Sequence, residues 1–210
     1  MASAAEAITP TRGELLKLAR RIELAKRGHQ LLKEKRDALV AELFDVLDEL
    51  QDAIEEAYKR MDEAFKELTA AEITMGALEV KKAALASGRD LEVDLDTRYI
   101  MGVTVPIIET GDVRRRVTER GYGLIQTSSK LDDAARKFEA ALESIIKLAE
   151  VEETAKSLAR EVEETKRRVN SLENIIIPQL ESAKKYIEFR LEELERETFF
   201  RLKRIKRAMV

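Results

Sequence analysis

The side chains best suited to chemistry are few in this sequence. Its 210 residues include one histidine, His29, and no cysteine or tryptophan. Most nucleophilic and metal centres are built on His or Cys, so few such sites could be assembled here. Carboxylates are abundant, but they follow one another along predicted helices at solvent-facing spacings, with no sign of a pocket to hold a pair. We therefore predict no catalytic, cofactor-binding or metal-binding residue.

The sequence also gives no sign of a nucleotide-binding site. No glycine-rich run ends in Gly-Lys followed by Ser or Thr, so the P-loop signature is absent. The segment Arg120-Gly121-Tyr122-Gly123 is too short to indicate phosphate binding by itself. His29 and Arg36 fall on the apolar seam of the first predicted helix, where a histidine more often sets register than binds a ligand. The chain is not expected to be an enzyme.

Composition favours long helices over a compact domain. Charged residues make up 38% of the chain and aromatic residues 5%, with eight glycines and three prolines. Such a mixture is typical of coiled coils. Disorder is the competing interpretation, but the net charge of −3 and the 44% apolar content argue against it. No apolar run approaches the roughly 20 residues of a membrane span, and residues 1–9 do not resemble a signal peptide. We expect no direct membrane insertion.

The first predicted element is a helix of residues 1–87 that starts near Thr9-Pro10, a favourable cap and first position. Apolar or small residues then recur in steps of three and four, which marks a coiled-coil seam. The first strong stop is Ser87-Gly88, so about 75 residues would form a helix on the order of 110 Å long. The seam residues are Leu15, Leu18, Ile22, Ala25, Leu32, Leu39, Leu43, Val46, Leu50, Ala53, Ala57, Ala64, Ala71 and Leu78.

A second long helix is predicted over residues 130–210. Its seam changes phase near Glu152, and Pro178 removes one backbone hydrogen bond, so a kink is expected over residues 174–178. The predicted seam residues are Leu131, Ala135, Phe138, Leu142, Ile145, Ala149, Ala155, Leu158, Val162, Val169, Leu172, Ile176, Ala183, Ile187 and Leu194.

Residues 88–129 differ in character from both helices. The segment 91–95 alternates with period two, and residues 103–108 are rich in β-branched side chains. Beyond Gly88, four of the eight glycines punctuate the region: Gly102, Gly111, Gly121 and Gly123. We predict a β-hairpin or compact cap, which would make the helices antiparallel. The expected fold class is mainly α, a long two-helix antiparallel coiled coil with a short β-hairpin insert between the helices. The alternative is a helix dimer in trans with an unstructured middle.

Charge is distributed unevenly along the predicted helices. If position 12 faces about 207 and position 67 faces about 152, residues 12–36 and 183–207 together carry eighteen Lys/Arg against eight Asp/Glu. Residues 37–67 and 152–182 carry eight against eighteen. The chain would then have a basic terminal tip and an acidic middle. The tip is either a solvated helix surface or the contact surface for a polar partner.

Three stretches resemble the D subunit of archaeal A-type and related V-type ATPases. The first is residues 9–12 with 27–37, the second is Ile100-Met101-Gly102-Val103-Thr104-Val105-Pro106 with 120–124, and the third is residues 164–178 with 200–206. They span nearly the whole chain in the family's order. A generic coiled coil would share their periodicity but not these strings. Ser171 stands where the family often has alanine.

The resemblance implies a non-catalytic central-stalk subunit, the rotor shaft of an ATP synthase on the cytoplasmic face of the cell membrane. In similar proteins the paired termini enter a hexameric head of A and B subunits, the F subunit binds the flank, and the C subunit, also called the d subunit, holds the membrane-side end. Rotation of the shaft couples ion transport to ATP synthesis or hydrolysis. From position and charge we nominate as head-binding residues Arg12, Arg20, Arg21, Arg201, Lys203, Arg204 and Lys206.

Two other classes of protein share parts of this pattern. A nucleic-acid-binding coiled coil could use a basic tip, but the sequence offers no aromatic platform for stacking and no known recognition motif. The other alternative is a basic-tipped coiled-coil scaffold. A scaffold or membrane-remodelling bundle predicts a curved dimer with a basic stripe along one face, whereas the charge here is banded along the axis. We therefore expect no nucleic-acid partner.

Overall fold

The structure is a computed structural model that describes residues 9–88, 90–116, 119–123 and 127–209. Helix α1 spans Arg12–Met75, and helix α2 spans Ala77–Ala86. Strands β1 (Val93–Ile100) and β2 (Val103–Thr110) follow, then helix α3 (Ser129–Ser171), a π-helical turn at Leu172–Ile176 and helix α4 (Ile177–Ala208). The expected fold class is confirmed: long helices flank an antiparallel two-stranded hairpin.

The start of α1 follows from its capping residue. The hydroxyl of Thr11 accepts a hydrogen bond of 3.2 Å from the backbone N–H of Glu14, which satisfies one of the unpaired donors of the first turn. The cap is therefore Thr11, two residues after the expected Thr9.

Gly76 interrupts the first helix, which was expected to continue to residue 87. Its φ of 85° lies in the left-handed region that residues other than glycine rarely adopt. Beyond it, α2 forms a small core in which Val80 and Ala83 pack with Ala71 and Leu131. Leu78, a predicted seam residue, is exposed as a result.

The chain divides into two compact units, and the first of them contains Leu39–Glu161. Within this unit α1 and α3 lie antiparallel. Lys137 forms an ion pair of 2.8 Å with Glu63, and the rings of Phe65 and Phe138 meet edge to face with centroids 5.6 Å apart. The fully buried core residues Leu39 and Leu158 belong to this unit.

The second unit contains Met1–Ala38 and Val162–Val210. Here α1 and α4 are antiparallel, since Arg12 forms an ion pair of 2.6 Å with Glu195 and Lys26 forms one of 2.7 Å with Glu181. The buried apolar residues of this unit are Leu18, Ile22, Val169 and Ile187.

The expected register between the helices was wrong. Arg12 faces Glu195 rather than a residue near 207, and Glu67 lies 3.7 Å from Lys130 rather than opposite a residue near 152. The cause is the break at Gly76. Pairing starts where α1 ends at Met75 and α3 begins, whereas the expectation carried the first helix to residue 87.

The seam of α3 also differs from the predicted one. Small and polar residues point inward at Ala134, Ala141 and Ser144, while Leu142 and Ile145 remain partly exposed. A seam of small residues lets two helices approach closely, so the larger side chains lie at its margins. The change of phase lies near residues 141–144, earlier than the expected position at Glu152.

Pro178 is the second residue of α4, and the π turn at Leu172–Ile176 ends just before that helix begins. The N–H of Ile177 bonds to the carbonyl of Leu172, five residues back, which defines the π turn. Proline has no N–H to donate to the carbonyl of Asn174, so the regular i to i−4 pattern cannot continue through residue 178. The five-residue bonds of the π turn accommodate this loss. The irregularity expected over residues 174–178 is present as a π turn, and the kink angle stays a prediction.

Candidate partner-binding surfaces

The end of α4 presents a basic segment, residues 196–207, which we call the C-terminal basic segment. It carries six Lys/Arg against one acidic residue, and every residue in it is exposed. Lys203 lies 5.5 Å from the ring centroid of Phe199, a cation–π contact. Large apolar side chains are exposed beside these charges at Phe199, Phe200, Leu202 and Ile205.

The seven nominated residues do not form one cluster. Arg201, Lys203, Arg204 and Lys206 belong to the C-terminal basic segment, beyond the residue that faces the start of α1. Arg20 and Arg21 are exposed on α1, well away from that segment along the helix pair, and Arg12 is paired with Glu195. The expected tip is therefore formed mainly by α4, and the role of these seven residues stays a prediction.

The acidic character of the middle segment is retained with the observed register. Residues 39–67 carry three Lys/Arg against ten Asp/Glu, and residues 130–161 on the facing helix carry six against eight. At Glu63, the hydrogen bond from Lys137 and the positive charge of that lysine hold the pKa of the carboxyl below its ordinary value of 4.5.

A second apolar face of α1, outside the seam, is exposed to solvent. Its residues recur in steps of three, four and seven, as the residues of a coiled-coil seam do. Tyr58 is 75% exposed, and its neighbours along the face are also accessible. We call this face the α1 stripe, and its exposed members are Phe44, Leu47, Ile54, Tyr58 and Phe65.

A groove of about 270 Å³ runs along the α1 stripe, between α1 and α3. Ile54, Tyr58 and Met61 line one wall, and Ile145 and Leu148 line the other. Ile145, which was predicted for the seam, thus lines this groove instead. Contiguous exposed apolar surface rimmed by charge is typical of sites that bind another protein. The sequence prediction missed the stripe because it followed only one apolar seam on each helix. A second set of apolar residues with the same spacing, one position further along α1, was the signal that could have revealed it.

The segment Arg120-Gly121-Tyr122-Gly123 has a structural role. The Arg120 side chain is 3% exposed and lies 3.1 Å from Asp132 and 3.5 Å from Glu139. The Tyr122 hydroxyl donates a hydrogen bond of 2.7 Å to Asp132, and burial together with that bond raises the pKa of the tyrosine.

Gly121 allows the backbone of this segment to approach α2 closely. Its φ is 80°, and a Cβ there would lie 2.4 Å from the carbonyl oxygen of Ala86. Beside it, residues of α2 and α3 line an apolar cavity of about 400 Å³, and Arg120 is also part of its lining. These contacts attach the insert to the helices.

Within the described ranges, no helix is long and apolar enough to cross a membrane. The fold and surfaces together define a class of protein: helical hairpins that leave apolar and basic faces available to other chains. The model of the family described as the ATP synthase D subunit matches residues 14–207.

Curated relatives agree with this match. The A-type ATP synthase D subunit of Pyrococcus horikoshii is 53% identical over 199 residues, which cover 95% of this chain and 93% of the relative. That of Methanopyrus kandleri is 50% identical over 206 residues, covering 96% and 86%. That of Methanosphaera stadtmanae is 49% identical over 202 residues, covering 96% and 94%. The chain belongs to the family of ATP synthase D subunits.

Proposed function

We propose that this chain is the non-catalytic central shaft of a rotary A-type ATP synthase. The observation that carries the proposal is the family match over residues 14–207, which includes both helices and the insert. In this role the chain couples ion flow through the membrane ring to ATP synthesis or hydrolysis in a head of A and B subunits. It binds no nucleotide, and it associates with the cytoplasmic face of the membrane through its partners.

The packing of the helices supports a torque-bearing role. Within each unit the antiparallel helices are joined by ion pairs at their edges and by buried apolar residues between them. Two helices packed side by side resist twisting better than one. The C-terminal basic segment supports contact with the head, because exposed charges make weak, screened interactions that can break and reform as the shaft turns.

The α1 stripe supports the binding of a further protein on the flank, which we assign to the small F subunit. Aromatic residues at the centre of an interface often dominate its binding energy, and Tyr58 lies near the middle of this stripe. Replacing Tyr58 by Ala should weaken binding of the purified F subunit by tenfold or more in titration calorimetry. Phe189→Ala is the matched control, because Phe189 is 58% exposed but lies on α4, outside the stripe. Equal affinities of the two variants would remove the stripe from the proposal.

The role of the C-terminal basic segment can be tested by truncation. A chain lacking residues 199–210, assembled into the reconstituted complex, should allow ATP hydrolysis while ion movement falls. A second variant changes Arg201, Lys203, Arg204 and Lys206 to Gln, and a third changes Phe199 and Phe200 to Ala. These variants separate the contribution of charge from that of apolar contact. Normal coupling in the truncated complex would overturn the assignment of the tip.

A further inference from the structure

The outer edges of the two strands of the β-hairpin differ in how far their backbone groups are protected. A two-residue turn at Met101-Gly102, with φ of 50° and 82°, joins β1 to β2 and pairs Ile100 with Val103. Positive φ at both positions is the geometry of tight hairpin turns.

Hydrogen-bonded and non-bonded pairs alternate along an antiparallel ladder. The pair closing the turn is hydrogen-bonded, and so is Glu92 with Gly111, whose N–H donates to the Glu92 carbonyl at 3.3 Å. The even-numbered residues of β1 therefore bond to β2. The N–H and C=O groups of the odd-numbered residues point to the outer edge, and these residues are Val93, Leu95, Thr97 and Tyr99.

The outer edge of β2 is protected at two of its four outward positions, Pro106 and Ile108; within the described residues the N–H groups of Thr104 and Thr110 have no partner. The outward N–H of Ile108 donates to a carboxylate oxygen of Glu150 on α3, at 3.4 Å. Pro106, the partner of Thr97, has no N–H to leave unpaired. Val103 and Val105 are buried, so this strand is the one that packs into the unit.

The outer edge of β1 is less protected, because it contains no proline and no other element donates to it or accepts from it within the described residues. Within the ranges that the structure describes, one of its outward donors has a partner: the N–H of Thr97 donates to the carboxylate of Asp96, at 2.7 Å. Leu95 is 73% exposed and Tyr99 74% exposed, on the same face of the hairpin. Unpaired backbone groups flanked by apolar side chains form a template for another strand.

We propose that the free edge of β1 accepts an extended segment of a partner protein as a third strand. The charges of β1 define the chemistry of that segment. Asp94, Asp96 and Arg98 lie on the face opposite Leu95 and Tyr99 and leave that face with one excess negative charge, so alternating basic and apolar side chains complement both faces. A second copy of the chain fits less well, because two β1 strands would bring four aspartates together with two arginines. This proposal does not depend on the shaft role.

The probe for the test is a capped seven-residue peptide in which Val and Lys alternate, titrated into the full chain. Its acidic twin carries Glu in place of Lys. Binding should slow amide exchange at Val93, Leu95 and Tyr99 at least tenfold, while Asp94, Asp96 and Arg98 change little because they already bond to β2. The acidic twin should bind at least tenfold more weakly.

Two variants at Leu95 separate the backbone from the side chain. Leu95→Pro removes one outward N–H without touching the ladder to β2, and it should weaken peptide binding by about tenfold or more. Leu95→Ala keeps that N–H and should bind more tightly than the proline variant. Protection of the even-numbered amides reports that the hairpin remains folded in both.

Several results would overturn the proposal. They are the absence of binding at millimolar peptide, slowing without the odd–even contrast, and equal binding by Leu95→Pro and Leu95→Ala. Equal affinity for the acidic twin would remove the charge argument on which the choice of partner rests. Dimerisation of the free chain in sedimentation, abolished by Leu95→Pro, would assign the edge to a second copy instead.

Discussion

Replacing Arg120 by Ala should destabilise the unit that contains the insert more than any exposed charge substitution. The guanidinium is 3% exposed and joins Asp132 to Glu139, whose side chains are 24% and 15% exposed. Removing it leaves two poorly hydrated carboxylates without their cation. Losing one partner of a fully buried pair costs about 3–5 kcal/mol, and because these carboxylates keep some contact with water we expect about 2–4 kcal/mol.

The assay is urea unfolding followed by circular dichroism, with amide exchange at Leu131 and Ala134 as local reporters. With a slope of about 2–3 kcal/mol/M, the midpoint should fall by about 1 M. Arg114→Ala is the matched control, since Arg114 pairs with Glu143 at 2.8 Å while 72% exposed, and its midpoint should hardly move. Arg120→Met preserves much of the packing volume and should remain destabilised at neutral pH, because the two carboxylates still lack their cation.

The reasoning would be refuted if Arg120→Ala and Arg114→Ala shifted the midpoint equally. Full stability of Arg120→Met at neutral pH would refute it in a different way, because packing rather than charge would then hold the insert in place.

Three further predictions concern the helices. The pKa of Glu63 is lowered in the folded chain, so its ion pair with Lys137 stabilises fully above the ordinary value of 4.5 and loses that effect as pH falls through the lower folded value. Glu63→Gln should flatten the acid limb of the stability–pH curve, and Glu49→Gln, an exposed change on the same helix, should leave it unaltered. Leu39→Ala should cost about 2–5 kcal/mol in urea unfolding because the side chain is fully buried; a loss below about 1 kcal/mol would contradict that burial. Pro178→Ala should restore a backbone donor and convert the π turn to α-helix, visible as transfer of the Ile177 hydrogen bond from Leu172 to Glu173; an unchanged turn in a crystal structure would show that proline is not its cause.

The long helices and the hairpin could be predicted from sequence because each depends on a local pattern. A heptad of apolar residues predicts a seam whatever its partner, and the β-branched run at residues 103–108 predicts a strand. An irregularity near Pro178 was also indicated, as an expected kink, since a proline inside a helix removes one hydrogen bond; its form as a π turn was not predicted. These features need no knowledge of distant contacts.

Register and seam phase could not be predicted in the same way. Register follows from the single backbone conformation of Gly76, and a lone glycine inside a helical pattern is often tolerated. The inward face of α3 contains Ala134, Ala141 and Ser144. These residues are less hydrophobic than Leu142 and Ile145, so a prediction based on hydrophobicity chose the wrong face. Helix proximity favours small residues there, and that proximity is a property of the pair rather than of either sequence segment.

The surfaces that bind partners were only partly accessible to sequence reasoning. Charge counting identified the basic residues of α4, but the wrong register placed Arg20 and Arg21 beside them. The α1 stripe was overlooked. The difference between the outer edges of β1 and β2 depends on which backbone N–H groups have partners, such as that of Ile108, and no sequence pattern specifies this.

The central claim is that this chain is the shaft of a rotary ATP synthase, and stoichiometry tests it most directly. The full chain, mixed in excess with a purified hexamer of A and B subunits, should yield a complex with one copy per hexamer in native mass spectrometry. A chain lacking residues 199–210 should occupy the hexamer less fully at the same concentration. The absence of a complex, or the presence of three or six copies, would contradict the shaft assignment.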